Sequence, residues 1–262
     1  MISALYVSKT GLAAQDKQLS TISNNLANTS TVGFKRDRAM FEDLIYQMQR
    51  QPGAQETQDS RLPSGLQIGT GSRVVATQKQ FTQGTLQVTE QPLDLAINGR
   101  GFLQVLQPDG SLAYTRNGQL EINEEGQVVT AEGLVLEPAI TIPQGTNKIA
   151  IGKDGTVNAY TEGQSATPQQ LGNITLADFV NPAGLQAIGG NLFVETVASG
   201  TPTQGAPGEN GMGSLLQGQL ENSNVDIVEE MVNMITTQRA YEMNSKVVTT
   251  ADQMLQNIAQ NL

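Results

Sequence analysis

Histidine, cysteine and tryptophan are all missing from the 262 residues of this protein. Their absence excludes a Ser-His or Cys-His nucleophile, thiolate chemistry and the usual zinc ligand sets. No catalytic residue, metal site or cofactor is therefore expected. Aromatic side chains are scarce, with five Tyr and six Phe, so no part of the molecule is expected to rest on a core rich in large rings. No apolar run approaches the roughly 18 residues that span a bilayer, and the amino terminus lacks the continuous apolar stretch of a cleaved secretory signal. Direct membrane insertion is not expected, and any export would proceed without such a signal. Basic residues are outnumbered, 15 Lys and Arg against 25 Asp and Glu, for a net charge of −10. Nucleic acid is an unsuitable partner for that balance, since phosphates need clustered Lys and Arg.

Proline and glycine, the residues that stop helices, are nearly missing from both ends. All ten prolines lie between Pro52 and Pro207, and of 27 glycines only Gly11 and Gly33 fall outside Gly53 to Gly218. Helices are expected from about Ser3 to Ala27 and from a start near Asn222–Asp226, capped by Ser223 or Asn224, to the carboxy terminus. Leu5, Leu12, Leu19 and Leu26 repeat every seventh residue, with Ile22 among them. Val225, Val228, Val232 and Ile235 step by three and four, and so do Val248, Ala251, Leu255, Ile258 and Leu262. The second stripe changes face near Arg239–Asn244. Such narrow stripes form seams that another helix must cover. The ends also carry opposite charge, +2 over residues 1–51 and −4 over 219–262, which suits their pairing. Sticky helices at both termini suit an assembly protein better than an enzyme.

Between the ends the pattern is one of short β-branched runs and turn signals. Asn98-Gly99, Asp109-Gly110, Asn117-Gly118, Glu125-Gly126, Glu132-Gly133 and Asp154-Gly155 separate apolar stretches and read as hairpin turns. The expected fold is α+β: a discontinuous, coiled-coil-like α domain at the termini, a central antiparallel β domain, and an extended arm. The expected boundaries are 1–45 for the first helical part, 46–71 for the arm, 72–213 for the β domain and 214–262 for the last helix. Met40, Phe41, Leu44, Ile45 and Met48 lie at helical spacing, and an extended reading of 34–48 fits almost as well. Residues 51–71 are polar and punctuated by Gly53, Pro63 and Gly65, yet Leu62, Leu66 and Ile68 are apolar residues that a free linker does not need.

Asn98-Gly99-Arg100-Gly101 lacks the spacing of a phosphate loop, and no helix follows it. The pairs Glu124-Glu125 and Glu229-Glu230 sit where turns and helix starts place acids for structural reasons. The stretch from Ile22 through Asn24-Asn25-Leu26-Ala27-Asn28 to Gly33-Phe34-Lys35 is a helix end unusually rich in Asn. It resembles the amino-terminal motif of the bacterial flagellar rod and hook proteins. Glu221 to Asp226 and Gln238-Arg239-Ala240-Tyr241 to Lys246 are similar to the carboxy-terminal half of that pattern. Asp94 to Phe102 resembles its central β-domain motif, with Leu103 where a second Phe is common. The four matches span the chain in the family's order.

The resemblance implies a structural subunit of the flagellar drive shaft, exported by the flagellum's own apparatus. The arm and the overall length look like those of distal rod members, with proximal rod or hook subunits as the nearest alternatives. A rod-associated peptidoglycan hydrolase and a secreted adhesin are the alternatives of other classes. The implied partners are copies of the chain itself in a helical homo-oligomer, proximal rod proteins, the hook protein, basal-body ring proteins and the export apparatus. The residues expected at assembly interfaces are Leu5, Leu12, Leu19, Ile22, Asn24, Asn25, Leu26, Asn28, Gly33 and Phe34. At the other end they are Val228, Val232, Ile235, Arg239, Tyr241, Val248, Leu255 and Ile258. Gly53, Leu62, Pro63, Gly65, Leu66 and Ile68 are expected to form an ordered clip.

Overall fold

Both helices form within segments nearly free of helix breakers. The computed structural model describes residues 2–52, 64–161 and 168–260. Helix α1 spans Ile2–Ala27 and helix α2 spans Ile227–Gln260. The cap of α2 is Asp226 rather than Ser223 or Asn224. Its Oδ1 accepts the backbone N–H groups of Val228 (2.8 Å) and Glu229 (3.2 Å), satisfying donors that the first helical turn leaves open. Glu229 and Glu230 add negative charge to that first turn, where the helix dipole favours it.

The chain forms two compact units: residues 1–27, 37–78 and 226–262 in one, and 28–36 with 79–225 in the other. In the helical unit α1 packs against α2. Four strands complete that unit: β1 (Asp37–Asp43), β2 (Tyr46–Arg50), β3 (Leu66–Gly69) and β4 (Ser72–Lys79). β1 pairs with β4, and β2 pairs antiparallel with β3. Residues 37–48 are thus extended. One cause is Asn25, whose Nδ2 donates to the Asp37 carbonyl while its Oδ1 accepts the Asp37 N–H, both at 2.8 Å. An amide that binds both backbone groups of one residue imitates a neighbouring strand and starts β1 in extended form.

The second unit is β-rich. Its strands are β5 (Leu86–Val88), β6 (Leu95–Asn98), β7 (Phe102–Leu106), β8 (Leu112–Thr115), β9 (Leu120–Ile122), β10 (Val128–Thr130) and β11 (Val135–Glu137). There follow β12 (Thr146–Ile151), β13 (Thr156–Thr161), β14 (Gln169–Asn173), β15 (Leu176–Asp178), β16 (Gln186–Gly189), β17 (Leu192–Val194), β18 (Thr203–Gly205), β19 (Ser214–Gln217) and β20 (Gln219–Glu221). The main sheet runs β16-β17-β8-β7-β11-β10-β9, and β15 links β7 to β18. β12-β13-β14 form a second sheet, and β19 pairs with β6 and β20 with β5. The 214–221 stretch, placed with the last helix on sequence grounds, is therefore strand.

Several turn signals do mark hairpins. Asp109-Gly110 closes β7 on β8, with Gly110 at φ 83° and its N–H on the Gln107 carbonyl. Asn98-Gly99 and Asn117-Gly118 are different. β6 pairs with β19 and not with its sequence neighbour β7, so Asn98-Gly99 leads from one sheet to another. Asn117-Gly118 likewise separates β8 from β9, which do not pair. Local turn chemistry specifies a reversal, whereas the partner of a strand is set by packing.

β7 is buried on both faces. Leu103 and Val105 enter an aliphatic core with Leu95, Ile97, Leu136, Ile174, Leu176 and Leu215. Phe102, on the opposite face, joins Tyr114, Phe179 and Phe193, with Phe81 packed against them. The ring centroids lie 4.8–6.1 Å apart in edge-to-face pairs, each such pair contributing about 0.5–1.5 kcal/mol beyond burial. The expectation of no ring-rich core is thereby corrected: the few rings are concentrated rather than spread. Phe102→Ala is expected to cost about 3–5 kcal/mol in urea denaturation. Phe41→Ala, at an exposed site of β1, should change stability by less than about 0.5 kcal/mol.

Candidate functional site

The turn after α1 needs glycine. Gly33 has φ 72°, and a Cβ there would stand 2.8 Å from the Arg116 carbonyl carbon, so a larger residue has neither the backbone freedom nor the room. The Gly33 N–H donates to the Glu221 carbonyl at 2.8 Å, and Asn191 Nδ2 donates to the Val32 carbonyl at 3.0 Å. This turn delivers Lys35 into the interior of the β-rich unit. Lys35 Nζ donates to Glu221 Oε1 at 2.5 Å and to the Thr82 carbonyl at 2.8 Å.

Arg116, just beyond β8, supplies a second cation. Its Nη1 donates to Glu221 Oε2 at 3.0 Å and its Nη2 to the Gly99 carbonyl at 2.6 Å, while the guanidinium lies 5.5 Å from the Phe102 ring centroid. The Gly84 N–H also reaches Glu221 Oε1, at 3.0 Å. Lys35 and Glu221 are each 1% exposed and Arg116 is 5% exposed. Beside them Asn224 Oδ1 accepts the Arg36 N–H at 2.7 Å, and its Nδ2 donates to the carbonyls of Gln80 (2.8 Å) and Thr82 (3.1 Å). That task is why Asn224 does not cap α2.

Burial alone would raise the Glu221 carboxyl, but Arg116, Lys35 and the hydrogen bonds outweigh it and hold the group below its ordinary range. Lys35 is moved down, by burial first and by Arg116 as well, with Glu221 opposing. One carboxylate therefore serves two buried cations. With its oxygens occupied and closed from solvent it is a structural cluster, not an acid–base pair. Among the described residues no acidic group is arranged to hold a metal ion, and no helix is long and apolar enough to cross a membrane.

The helical unit presents surfaces of another kind. On α1 the deeply buried positions are Ser8, Ala14, Ile22 and Asn25, and on α2 they are Glu230 and Thr237. Gly11 faces Asn244, with only 3.1 Å between a Cβ on the glycine and Asn244 Nδ2. Most of these buried positions are thus small or polar. Leu5, Leu12, Leu19 and Leu26 are half-buried. The α2 stripe lies in solvent: Val228 is 71% exposed, Val232 54% and Ile235 48%, with Met231 beside them.

Of the remaining sequence-selected positions, Arg239, Tyr241 and Leu255 are exposed and Val248 is half-buried. Phe34 is buried in the β-rich unit under Lys79, whose Nζ lies 5.2 Å from the ring centroid. Asn24 Nδ2 is 3.5 Å from Asp37 Oδ2, and Asn28 Oδ1 accepts the Thr31 hydroxyl at 3.2 Å. In the arm, Leu66 and Ile68 are exposed on β3, and a Cβ on Gly65 would come within 2.5 Å of the Arg50 carbonyl oxygen. Gly53, Leu62, Pro63 and the Ile258 side chain lie outside the described residues. Lys35, Arg116 and Glu221 escape a reading by periodicity, because they meet from positions far apart in the sequence.

Residues 5–35 match the family described as flagella basal body rod protein, and residues 216–261 match flagellar basal body rod FlgEFG protein C-terminal. Residues 96–159 match the flagellar hook protein FlgE/F/G D1 domain. The flagellar basal-body rod protein FlgG of Buchnera aphidicola subsp. Schizaphis graminum is 52% identical over 99% of this chain and 100% of its own. That of Caulobacter vibrioides is 50% identical over 98% of both chains, and that of Borreliella burgdorferi 47% identical over 100% of this chain and 99% of its own. The chain belongs to the FlgG family of flagellar basal-body rod proteins. Each of its three matched segments contributes one member of the buried cluster: Lys35 from the first, Arg116 from the second and Glu221 from the third.

Two measurements check the cluster. Glu221→Gln leaves two cations buried without a counter-charge and is expected to cost about 3–5 kcal/mol. Lys35→Met leaves a neutral Arg116–Glu221 pair, so its cost in the same urea titration should be clearly smaller. The depressed Glu221 group also sets a pH dependence. Its contribution is complete above the ordinary value of 4.5 and is lost as pH falls through its lower folded value. Denaturation midpoints below pH 4.5 should therefore fall in the parent and stay flatter in Glu221→Gln.

Proposed function

We propose that this chain is a structural subunit of the flagellar basal-body rod, placed in its distal part, where copies assemble into a helical tube that carries torque from motor to hook. The carrying observation is the solvent-facing apolar stripe of α2 in a chain alike end to end with FlgG rod proteins. A long helix with Val228, Met231, Val232 and Ile235 in water has no use for them alone. Each of these residues contributes roughly 1.5–3 kcal/mol when a neighbour covers it completely. Contacts of one subunit face with a different face of the next do not close on themselves and extend into filaments.

On this reading the half-buried leucines of α1 and the exposed positions of α2 meet neighbouring copies. The arm, with Gly65, Leu66 and Ile68, clips adjacent subunits. The proximal rod, the hook protein, the surrounding rings and the export apparatus are the further partners, and the rod crosses the periplasm. Support comes from the arm's resemblance to the distal rod insertion and from the exposed Ile45, Tyr46 and Met48 at its base.

A charge in the stripe separates assembly from folding. Val232→Asp and Ile235→Asp should abolish swimming and leave basal bodies without a complete rod in electron micrographs. The purified monomers should unfold within about 0.5 kcal/mol of the parent, as expected for exposed sites. Normal motility in both variants would remove the stripe from the interface.

A further inference from the structure

The loop between β18 and β19 carries an Asn-Gly pair, Asn210-Gly211, with a geometry unlike that of the other Asn-Gly and Asp-Gly pairs. Asn210 has φ 51° and Gly211 φ 81°, and the Met212 N–H closes the turn on the Glu209 carbonyl at 2.8 Å. Gly208, Glu209, Asn210 and Gly211 are all exposed. No atom lies within 4 Å of the place where a Cβ would stand on Gly211. Among the described residues, neither the Asn210 side chain nor the Gly211 N–H has a hydrogen-bond partner.

We propose that Asn210-Gly211 is a site of spontaneous backbone-assisted deamidation, at which the folded protein ages into aspartate and isoaspartate forms. The Gly211 nitrogen loses its proton to solvent base and attacks Asn210 Cγ. A new bond from that nitrogen to Cγ closes a five-membered succinimide. The bond from Cγ to Nδ2 breaks with release of ammonia, which takes up a proton. Water then opens the ring at either carbonyl, giving aspartate or, through the other bond, isoaspartate. No oxidant, reductant or enzyme is required, and water is the sole co-reactant. Glycine is the residue that lets the nitrogen approach, because no Cβ stands in the way.

The other pairs are held away from this reaction. The Gly99 N–H donates to Gln83 Oε1 at 3.2 Å, and Asn98 Oδ1 accepts Gln83 Nε2 at 3.4 Å. Gly118 is buried and so tightly packed that a Cβ would overlap the Leu95 carbonyl oxygen, while Asn117 Oδ1 is engaged by the Gln119 N–H at 3.1 Å. In the Asp-Gly pairs, the Gly110 N–H is bonded to Gln107 and the Gly155 N–H to Gly152. Their aspartates are also fixed by Ser111 and Thr156 and held as carboxylates below their ordinary range, which makes them poor electrophiles. Isoaspartate at position 210 would add a backbone methylene inside the turn that positions Met212, a buried member of the aliphatic core. The change is therefore structural as well as electrostatic, adding one negative charge at an exposed tip.

The test is incubation of the purified full-length protein at mildly alkaline pH, followed by peptide mapping with mass spectrometry and labelling by an isoaspartyl methyltransferase. In the folded protein the mass gain and the label should concentrate on the peptide containing Asn210, rise with pH, and vanish in Asn210→Gly, which keeps the positive φ. In urea, where the hydrogen bonds at Asn98 and Asn117 are gone, all three Asn-Gly peptides should react at similar rates. An unmodified Asn210 in the folded protein overturns the proposal. Equal reaction of the three sites without denaturant would also overturn it.

Discussion

One carboxylate held between two buried cations is the constraint on which the β-rich unit is organised. A buried charge without a partner costs several kcal/mol, so Glu221 has to meet Lys35 and Arg116 wherever the intervening loops run. Lys35 comes from the turn after α1, Arg116 from the end of β8, and Glu221 from the last strand before α2. Their meeting gathers into one unit the segments by which the chain leaves it, 33–36, 80–84 and 221–224. Gly84 brings its N–H to the carboxylate, Gly33 lets the turn pass close to the Arg116 backbone, and Asn224 satisfies the backbone groups of Arg36, Gln80 and Thr82 beside it.

A second constraint acts in the helical unit. Gly11 meets Asn244 where α1 and α2 pack, and the buried positions of the two helices are Ser8, Ala14, Ile22 and Asn25 on one and Glu230 and Thr237 on the other. The heptad leucines Leu5, Leu12, Leu19 and Leu26 are half-buried, whereas Val228, Val232 and Ile235 stand exposed. On the proposed function, the exposed stripe of α2 is the part kept for neighbours.

The helices were legible in the sequence because proline and glycine fall almost wholly between them, and their ends came within a few residues. The stripes were legible as stripes but not as to what they cover, since periodicity reveals a face and not its neighbour. Asp109-Gly110 was a hairpin as expected, whereas Asn98-Gly99 was not. β6 takes its partner from residues 214–217, far along the sequence, and no local signal carries that information. The aromatic cluster escaped for the same reason: composition counts rings, while Phe81, Phe102, Tyr114, Phe179 and Phe193 meet through the sheet. The buried cluster combines residues as far apart as 35 and 221, and only Lys35 and Glu221 fall inside motifs visible in the sequence.

The central claim, which rests on the proposed function, is that the buried positions of α2, Glu230 and Thr237, are covered within one molecule while its apolar stripe is covered by another. Because the protein has no cysteine, single cysteine substitutions report on each face without interference. Thiol labelling of Val232→Cys and Thr237→Cys, in purified monomer and in isolated basal bodies, is the direct measurement. The position at 232 should label readily in the monomer and become protected in the assembled rod, with the position at 237 slow in both. Equal labelling of Val232→Cys in monomer and basal body would contradict the claim.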